Sequence, residues 1–440
     1  MSTLSVSGFS CLDELQFETS PVVAIIGSQG SGKSVTIKLN YFAADINREH
    51  ISCAERGLSF EEFKKHLANK FRVWFPVEAW GQKRFIISYY SDDFYVRIMR
   101  RMKSGRPSEE LAFTFSDWYE DFYLKSRDAF LQANARSLDE DLFAQELKVS
   151  ADPLEATLKM RLGIRQNIRR RLGASFIENQ TFIPAGRAFF TGIGKLVAAF
   201  NNLGAIDPLT IKFAEQFSEI RSRAGSTGNL MRIRRKSLET VERDRKYSEQ
   251  FFGGELVFEP GSERVKITDG RQVPFTAMSS GQQELLPMWS IIQYLSELEA
   301  FRDGNARSFR ELIYIEEPEA HLFPRAQSDF LAYLFESLKF SDDRKSLILT
   351  THSPYIMGRL NVFLKSGILS RRKKKNTDIN DIVPRERWIR PQDFRAYAMM
   401  DGGMWNIVDS DGLIDSSYLD SISDDIASDF DRLLEVEMEI

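Results

Sequence analysis

Eight residues near the start of the chain have the types and spacing that hold phosphate groups. The run GSQGSGKS, Gly27 to Ser34, fits the pattern G-x-x-x-x-G-K-[ST] and follows the apolar run Val22 to Ile26. Glycines let backbone N–H groups wrap a phosphate, the lysine neutralises the β and γ phosphates of a nucleotide, and the next hydroxyl ligates Mg²⁺. The sequence therefore predicts a phosphate loop between a buried strand and a helix.

A pair of carboxylates ends a second apolar strand. LIYIEEPE carries Glu316 and Glu317 side by side. In a parallel sheet this strand end lies at the same edge as the phosphate loop. One carboxylate can hold the Mg²⁺ shell through water while the next orients or deprotonates the attacking water. A solvated acidic strand end is the plainer interpretation, and the upstream phosphate loop favours the catalytic one.

Two further features follow in the same order along the chain. SSGQQE, Ser279 to Glu284, opens a long apolar helix, and His352 comes directly after the strand-like LILTT. For a histidine taken alone, a structural role is the plainer interpretation.

Together these motifs resemble a soluble ABC-type ATPase of the RecF, SMC and OLD group. EEPEAHLFP, LILTTHSP and SSGQQELLP, with FIPAGR at Phe182 to Arg187, resemble most closely the OLD-like ATPases of bacterial anti-phage systems, including Septu- and PARIS-type subunits. The resemblance covers Leu4 to Ser34 and about Thr181 to Pro354. It does not extend to the stretch from Glu55 to Ala174.

The resemblance implies ATP and Mg²⁺ as ligands and a role for each motif. Glu317 would polarise the attacking water, His352 would contact the γ-phosphate, and Lys33 would act with them in catalysis. ATP would be held by Gly27, Ser28, Gln29, Gly30, Ser31, Gly32 and Lys33, and Mg²⁺ by Ser34 and Glu316.

The same resemblance implies a dimer. Ser280 and Gly281 would face the γ-phosphate of ATP held by a second subunit, because in these folds the signature lies too far from its own phosphate loop. ATP would bridge two head-to-tail copies, in a dimer or a higher homo-oligomer, and hydrolysis would cut the bridge. Pro318 to His321 would form the loop that crosses between subunits, with local capping as the other interpretation of His321.

Three glutamines of this sequence are compared with the residues that the family has in its motifs. Gln282 stands where the signature usually has a second glycine, and Gln29 replaces the asparagine of many relatives. For the glutamine that contacts Mg²⁺ and the attacking water, Gln180 is the candidate that this sequence offers. The alternative for Gln180 is a surface residue near a turn.

Composition and charge exclude several classes of protein. The 440 residues include two cysteines and four histidines, too few for a disulfide framework or a zinc site of usual spacing. No apolar run approaches the roughly 18 residues of a membrane helix, and the N-terminus lacks signal-peptide features, so we expect a cytoplasmic protein without a membrane partner. The net charge of -4 gives no overall case for binding nucleic acid. The basic segments Lys159 to Arg171 and Arg221 to Lys246 could still hold a polyanion.

Strands that alternate with helices predict an α/β fold with a mostly parallel sheet. The resemblance makes it an ABC-type P-loop ATPase head with an antiparallel β subdomain and a helical insertion. Periodicity predicts a hairpin over 84–100 and helices from Ser108 to about Gly173, with helix starts at Ser137 and Pro153. The predicted domains are 1–100, an N-terminal lobe; 101–175, the insertion; 176–365, a C-terminal lobe; and 366–440, an extension with an acidic tail.

The leading functional hypothesis is an ATP-dependent sensor or scaffold subunit of a phage-defence complex, which controls a separately encoded effector, a nuclease in the first instance. The motifs of the ATPase are complete, whereas WNIVDSDG, Trp405 to Gly412, lacks the upstream Glu-Gly that a TOPRIM nuclease needs. The alternative is a RecF- or SMC-like DNA repair clamp, in which the basic segments grip DNA.

Overall fold

The computed structural model describes residues 2–147, 153–193, 206–224, 237–259, 262–300, 310–340, 344–372, 377–415 and 428. The strands are β1 (Ser2–Phe9), β2 (Leu12–Glu18), β3 (Val22–Gly27), β4 (Ile86–Ser91), β5 (Phe94–Lys103), β6 (Arg106–Phe115), β7 (Asn179–Ile183), β8 (Gly254–Glu259), β9 (Ser262–Ile267), β10 (Gln272–Pro274), β11 (Glu311–Glu316), β12 (Lys345–Thr351), β13 (Phe394–Met400) and β14 (Gly403–Asn406).

The helices are α1 (Lys33–Glu55), α2 (Phe60–Trp74), α3 (Asp117–Leu147), α4 (Pro153–Leu172), α5 (Ala188–Ile193), α6 (Pro208–Ala224), α7 (Leu238–Phe252), α8 (Ser280–Ala300), α9 (Pro324–Leu338), α10 (Pro354–Arg372) and α11 (Thr377–Ile382). None of the helices in the described part of the chain is long and apolar enough to span a membrane.

The main sheet has eleven strands in the order β6-β5-β4-β1-β2-β14-β13-β3-β12-β11-β7. From β13 to β7 every neighbouring pair is parallel. The register aligns Ile26 with Thr351 and Glu316 with Thr350, so the strand ends that carry the predicted motifs share one edge. The α/β fold with parallel strands at this edge, which the sequence predicts, is confirmed.

The other half of the sheet, from β6 to β2, is antiparallel, and the predicted hairpin is β4 and β5, joined at Asp92 and Asp93. The expectation of helix from Ser108 is wrong as far as Phe115, because residues 106–115 form β6 on β5. In LAFTF at the end of β6, Phe113 and Phe115 are buried while Thr114 is exposed, which is the period of a strand. Helical structure begins at Asp117.

Helices cover both faces of the parallel strands. On one face Val23 and Ile25 pack into a core with α1 and α2, and on the other Ala24 and Ile26 pack with α8 to α10. This two-sided burial explains why β3 is a continuous apolar run. Helices α3 and α4 pack on each other and on α1, and they form the helical part of the predicted insertion.

The C-terminal region contributes to the main sheet. Strand β13 lies directly beside β3, with Met399 paired to Gly27, and β14 links it to β2. Residues 394–406 of the predicted C-terminal extension thus supply two strands of the main sheet. The predicted acidic tail, apart from residue 428, falls outside the described residues.

Candidate nucleotide-binding and hydrolysis site

The phosphate loop is wedged between the β1–β2 turn and β13. Gly30 and Gly32 have φ angles of 77° and 98°, which favour glycine. A Cβ on Gly27 would lie 2.6 Å from the Met399 carbonyl oxygen, and one on Gly32 would lie 2.4 Å from Cδ2 of Leu12. The glycines therefore allow a path that other residues could not follow. Exposed positions of the predicted set are Ser28, Gln29, Gly30 and Ser34, with Ser31 half-buried beside them.

Lys33 is the first residue of α1, and its ammonium group folds over the loop. Nζ donates to the carbonyl oxygens of Gly27, at 2.8 Å, and Ser28, at 2.9 Å. Burial lowers the pKa of Lys33, and the nearby carboxylates of Glu317, Glu319 and Glu316 oppose that change. The lysine is thus a buried cation between the loop and the carboxylates of the β11 edge.

Glu316 ends β11 with its side chain buried. Oε2 accepts a 3.4 Å hydrogen bond from the backbone N–H of Ala185, whereas Oε1 has no hydrogen-bond partner among the described residues. A buried carboxylate oxygen without a partner is costly unless water or a cation satisfies it. Together with the exposed Ser34 hydroxyl, this oxygen fits the hard oxygen ligands that Mg²⁺ takes.

Glu317 and His352 form a pair at the same edge. Oε1 of Glu317 lies 3.1 Å from Nε2 of His352, and both side chains are about one third exposed. The hydrogen bond from His352 lowers the pKa of Glu317, with Lys33 and Arg187 adding to the effect. Glu317 has a φ of 43°, in the left-handed region that non-glycine residues rarely adopt. The structure therefore places the Glu317 carboxylate against an imidazole and within electrostatic reach of Lys33.

Glu319 holds the chain at His352 in place. From the sequence, this residue is assigned only to the predicted loop between subunits, Pro318 to His321, and this role is missed. Oε1 of Glu319 accepts hydrogen bonds from Oγ1 of Thr351, at 2.8 Å, and from the backbone N–H of His352, at 2.5 Å. It thereby fixes the backbone at His352. The signal available in the sequence is the third acid of EEPE, two residues beyond Glu317.

The signature residues Ser280 and Gly281 form the first turn of α8. Ser279 precedes this turn, and the Gln282 side chain accepts from its N–H and hydroxyl, both at 3.2 Å. The backbone N–H of Gln282 in turn donates to Oγ of Ser279 at 3.4 Å. Gln282, which departs from the family's second glycine, thus closes a capping box. A cavity of about 480 Å³ lies beside the turn and is lined by Ser279–Gln282 and His321–Phe323, among others.

Arg187 joins the signature helix to the carboxylate edge. Its side chain is fully buried. The sequence indicates FIPAGR only as part of the family resemblance and gives no role for this arginine. Nη1 donates to the Glu316 carbonyl oxygen at 2.7 Å, and Nη2 donates to that of Glu317 at 3.0 Å. The Arg187 backbone N–H donates to Oε2 of Glu284, in α8, at 2.8 Å.

Gln180 lies away from this edge. It is buried in β7 opposite Leu312, four residues before Glu316 along the register, or about 13 Å at the rise of a strand. Nε2 donates to the Tyr41 carbonyl oxygen at 3.2 Å, and Oε1 accepts from the Tyr314 hydroxyl at 3.0 Å. The suggested contact with Mg²⁺ is wrong for Gln180 in this arrangement, and so is the alternative of a surface residue.

The first basic segment lies on α4 and packs against the body of the protein. Arg165 lies 2.5 Å from a Glu55 carboxylate oxygen, Arg161 lies 4.0 Å from the other, and Arg171 lies 3.0 Å from Asp93. These acids offset part of its positive charge. In the second segment, Arg221 to Lys246, residues 225–236 fall outside the described residues. Binding of a polyanion by either segment stays a prediction.

The chain is similar to a known protein family and to several solved structures. Residues 22–358 match the AAA_21 family, described as "AAA domain, putative AbiEii toxin, Type IV TA system". No curated protein matches the sequence at a significant level. Solved structures with a similar course include an SMC head bound to the C-winged helix domain of ScpA (TM-score 0.38, 12% identity, covering 92% of this chain and 96% of that one). Others are the SMC head domain from Thermotoga maritima (0.34, 12%, 92% and 97%) and the recombination mediator protein RecF-ATPrS (0.29, 12%, 92% and 97%).

Likeness to the solved structures at this level concerns the fold and says nothing of function. The family match, in contrast, spans about three quarters of the 440 residues and contains the phosphate loop, the Glu316–Glu317 pair and His352. The chain therefore belongs to the AAA_21 family of ATPase domains.

Proposed function

We propose that this chain hydrolyses ATP at a composite site between two head-to-tail copies, and that the ATP-dependent association controls a separate effector in phage defence. The observation that carries the enzymatic part is the pair of Glu317 and His352, 3.1 Å apart, beside the buried cation of Lys33. An ionised carboxylate that touches an imidazole next to a phosphate loop is the geometry expected of a group that orients water.

The residues of one subunit account for binding and for water activation. Lys33 and the N–H groups of the loop would hold the β and γ phosphates, while Ser34 and Glu316 would hold Mg²⁺. When bound, Mg²⁺ neutralises charge on the phosphate oxygens. The Glu317 carboxylate, kept ionised by the His352 hydrogen bond, would orient the attacking water and accept its proton. Glu319 would hold His352 toward the γ-phosphate through the backbone N–H.

The second copy would supply the signature. The first turn of α8, at Ser280 and Gly281, presents backbone N–H groups and the positive end of a helix 21 residues long, which suits a phosphate oxygen. Ser280 is exposed and lines the cavity beside that turn. ATP would join this turn to the partner's phosphate loop, and hydrolysis would release the two copies.

The defence role rests on the family and on the sequence motifs. The family description reads "AAA domain, putative AbiEii toxin, Type IV TA system", and a toxin–antitoxin system contains a second component. Asp409, in the segment once considered for nuclease chemistry, accepts from the backbone N–H groups of Asp411 and Leu413, both at 2.9 Å. This contact closes a turn and gives Asp409 a structural role. The proposal of a separately encoded effector rests on the sequence resemblance to the OLD-like, Septu and PARIS ATPases.

The substitution Glu317→Gln tests the enzymatic part. Glutamine keeps the shape and an acceptor for His352 but cannot take a proton, so we expect turnover to fall about 10²- to 10⁴-fold. ATP binding remains, so light scattering after size exclusion should show an ATP-bound dimer or larger assembly. Lys33→Ala is the matched control and should bind no ATP. Hydrolysis by Lys33→Ala at the wild-type rate would refute the assignment of the site.

The defence part needs its own test. The tagged chain, expressed with its neighbouring genes, should copurify with a second protein, and its deletion should raise phage plating. A chain that retains no partner and whose loss leaves plating unchanged would remove this part of the proposal. Duplex-DNA binding that falls steeply with salt, together with DNA-stimulated hydrolysis, would instead favour the DNA-clamp function.

A further inference from the structure

Arg187, in the loop between β7 and α5, has a fully buried guanidinium with an unusual set of partners. Nη1 donates to the carbonyl oxygens of Pro184 and Glu316, both at 2.7 Å, and Nη2 donates to that of Glu317 at 3.0 Å. Nε lies 3.4 Å from the Glu284 carboxylate and donates to its carbonyl oxygen at 3.4 Å. The side chain therefore contacts the end of β11 and the first turns of α8 at once.

The counter-charge of this arginine lies in the signature helix. Glu284 is buried, and its carboxylate also accepts from the Arg187 backbone N–H at 2.8 Å. It follows Ser280 by four residues, about one helical turn or 6 Å. Helix α5, which follows this loop, makes a second contact with α8, because the Thr191 hydroxyl donates to the Gln283 carbonyl oxygen at 2.7 Å. The segment 184–191, which runs from this loop into α5, is thus tied to the start of α8.

The other end of this contact chain is the catalytic carboxylate. The Glu317 backbone has the left-handed φ of 43°, and Arg187 holds the carbonyl groups of Glu316 and Glu317. The guanidinium donates to carbonyl groups at the ends of two strands and still pairs with a carboxylate, a fixed fork of donors that the single ammonium group of lysine does not offer. A change in the backbone at Glu317 would be passed to α8 through one rigid group.

In the proposed dimer these two ends serve different nucleotides. Glu317 acts on ATP in its own subunit, whereas the Ser280 turn acts on ATP held by the partner. We infer that Arg187 is a positioning residue through which the nucleotide at one phosphate loop sets the signature that completes the other site. This inference rests on the proposed function, and it adds that the two ATP sites are coupled through Arg187 and Glu284.

The test compares Arg187→Met with Arg221→Met. Arg221 lies beside α5 with 9% of its side chain exposed; it pairs with Glu263 and donates to the carbonyl oxygens of Phe190 and Thr191. Among the described residues, none of its hydrogen bonds or ion pairs reaches β11. Both changes remove a largely buried guanidinium of the same region. Each is made in the wild-type chain and in the Glu317→Gln background.

Three quantities are measured: the Kd of a fluorescent ATP analogue for the monomer, the Hill coefficient of hydrolysis, and the ATP-driven dimerisation constant in the Glu317→Gln background. For Arg187→Met we expect an unchanged monomer Kd, a Hill coefficient that falls from about two toward one, and dimerisation weakened about 5- to 150-fold. For Arg221→Met we expect all three to match the parent protein. Both variants can also have a lower melting temperature. If Arg187 had a purely structural role, the two variants would lose dimerisation and cooperativity to the same extent.

Glu284→Gln covers the case in which Arg187→Met does not fold. Its amide oxygen can still accept from the Arg187 backbone N–H, and only the counter-charge is lost, so we expect a smaller change in the same direction. Cooperativity and dimerisation at parental levels in Glu284→Gln, or equal losses in the Arg187 and Arg221 variants, would overturn the inference. If the Glu317→Gln parent does not dimerise with ATP at all, the proposed function itself is wrong. That result differs from a parent that dimerises normally while the Arg187 and Glu284 variants show no specific loss, which overturns only the coupling.

Discussion

The substitution Gly281→Ala probes the contact between the signature turn and the loop after β11. A Cβ on Gly281 would lie 2.6 Å from the carbonyl oxygen of His321 and 3.5 Å from Cδ2 of Leu322. The first atom belongs to the backbone and cannot rotate away. His321 has a φ of 58°, so its carbonyl direction is already set by an uncommon conformation.

The required displacement gives the size of the effect. Heavy atoms rest at about 3.5 Å, so the helix start or the loop must move by roughly 0.9 Å. A displacement near 1 Å at a catalytic constellation costs about 10²-fold in rate. The stability change is smaller, because strain of about 1–3 kcal/mol is partly offset by the 0.5–1 kcal/mol that alanine gains over glycine in a helix.

The assay is steady-state ATP hydrolysis together with binding of a fluorescent ATP analogue. We expect kcat to fall about 10²-fold while the monomer's Kd stays the same, because the phosphate loop is untouched. Gly358→Ala is the matched control: this glycine lies in α10, where a Cβ would meet no described atom within 4 Å. It should raise stability by about 0.5–1 kcal/mol and leave the rate unchanged. Wild-type turnover in Gly281→Ala would refute the role of this turn.

Two other predictions concern pH. Burial lowers the pKa of His50 from 6.5 to about 3, so between these pH values the unfolded chain binds a proton that the folded chain does not. The free energy of unfolding therefore falls as the pH falls, by about 2 kcal/mol between pH 7 and pH 5. His50→Phe should remove this loss, as measured by urea unfolding at both pH values. A wild-type protein equally stable at pH 7 and pH 5 would contradict it. His352→Ala removes the hydrogen bond that lowers the pKa of Glu317, so the acid limb of the pH profile of kcat/KM should move to higher pH. An unshifted limb would show that Glu317 is not the group that titrates.

Much of the parallel sheet could be predicted because its strands are marked locally. A strand buried on both faces must be apolar throughout, and a phosphate loop must break it with glycine, so β3 and its helix follow from 13 consecutive letters, Val22 to Ser34. Helix starts are less secure. Pro153 does begin α4, but the capping-box spacing at Ser137 lies inside α3, which continues to Leu147. A cap can be overridden when helical residues on both sides favour continuation.

The missed strands depend on partners far along the chain. Strand β13 reads as a short mixed segment, and only its place beside β3, with Met399 opposite Gly27, makes it part of the phosphate-loop environment. Gln180 was misplaced for the same reason, because its amide partners Tyr41 and Tyr314 come from other elements. Pattern and spacing describe a residue's own element, and they carry little information about which distant groups complete it.

The signature turn shows how a departure from a family pattern can preserve the physics. In place of a flexible second glycine, Gln282 accepts from the N–H and hydroxyl of Ser279, so α8 begins at Ser280 with its first turn capped. A capped turn still leaves the backbone donors of Ser280 and Gly281 directed out of the helix end, where an anion is favoured. Glutamine makes this turn less flexible than glycine would. That loss is consistent with a signature turn whose position is fixed by contacts with its neighbours. Those neighbours are the His321 carbonyl on one side and the Arg187–Glu284 pair on the other.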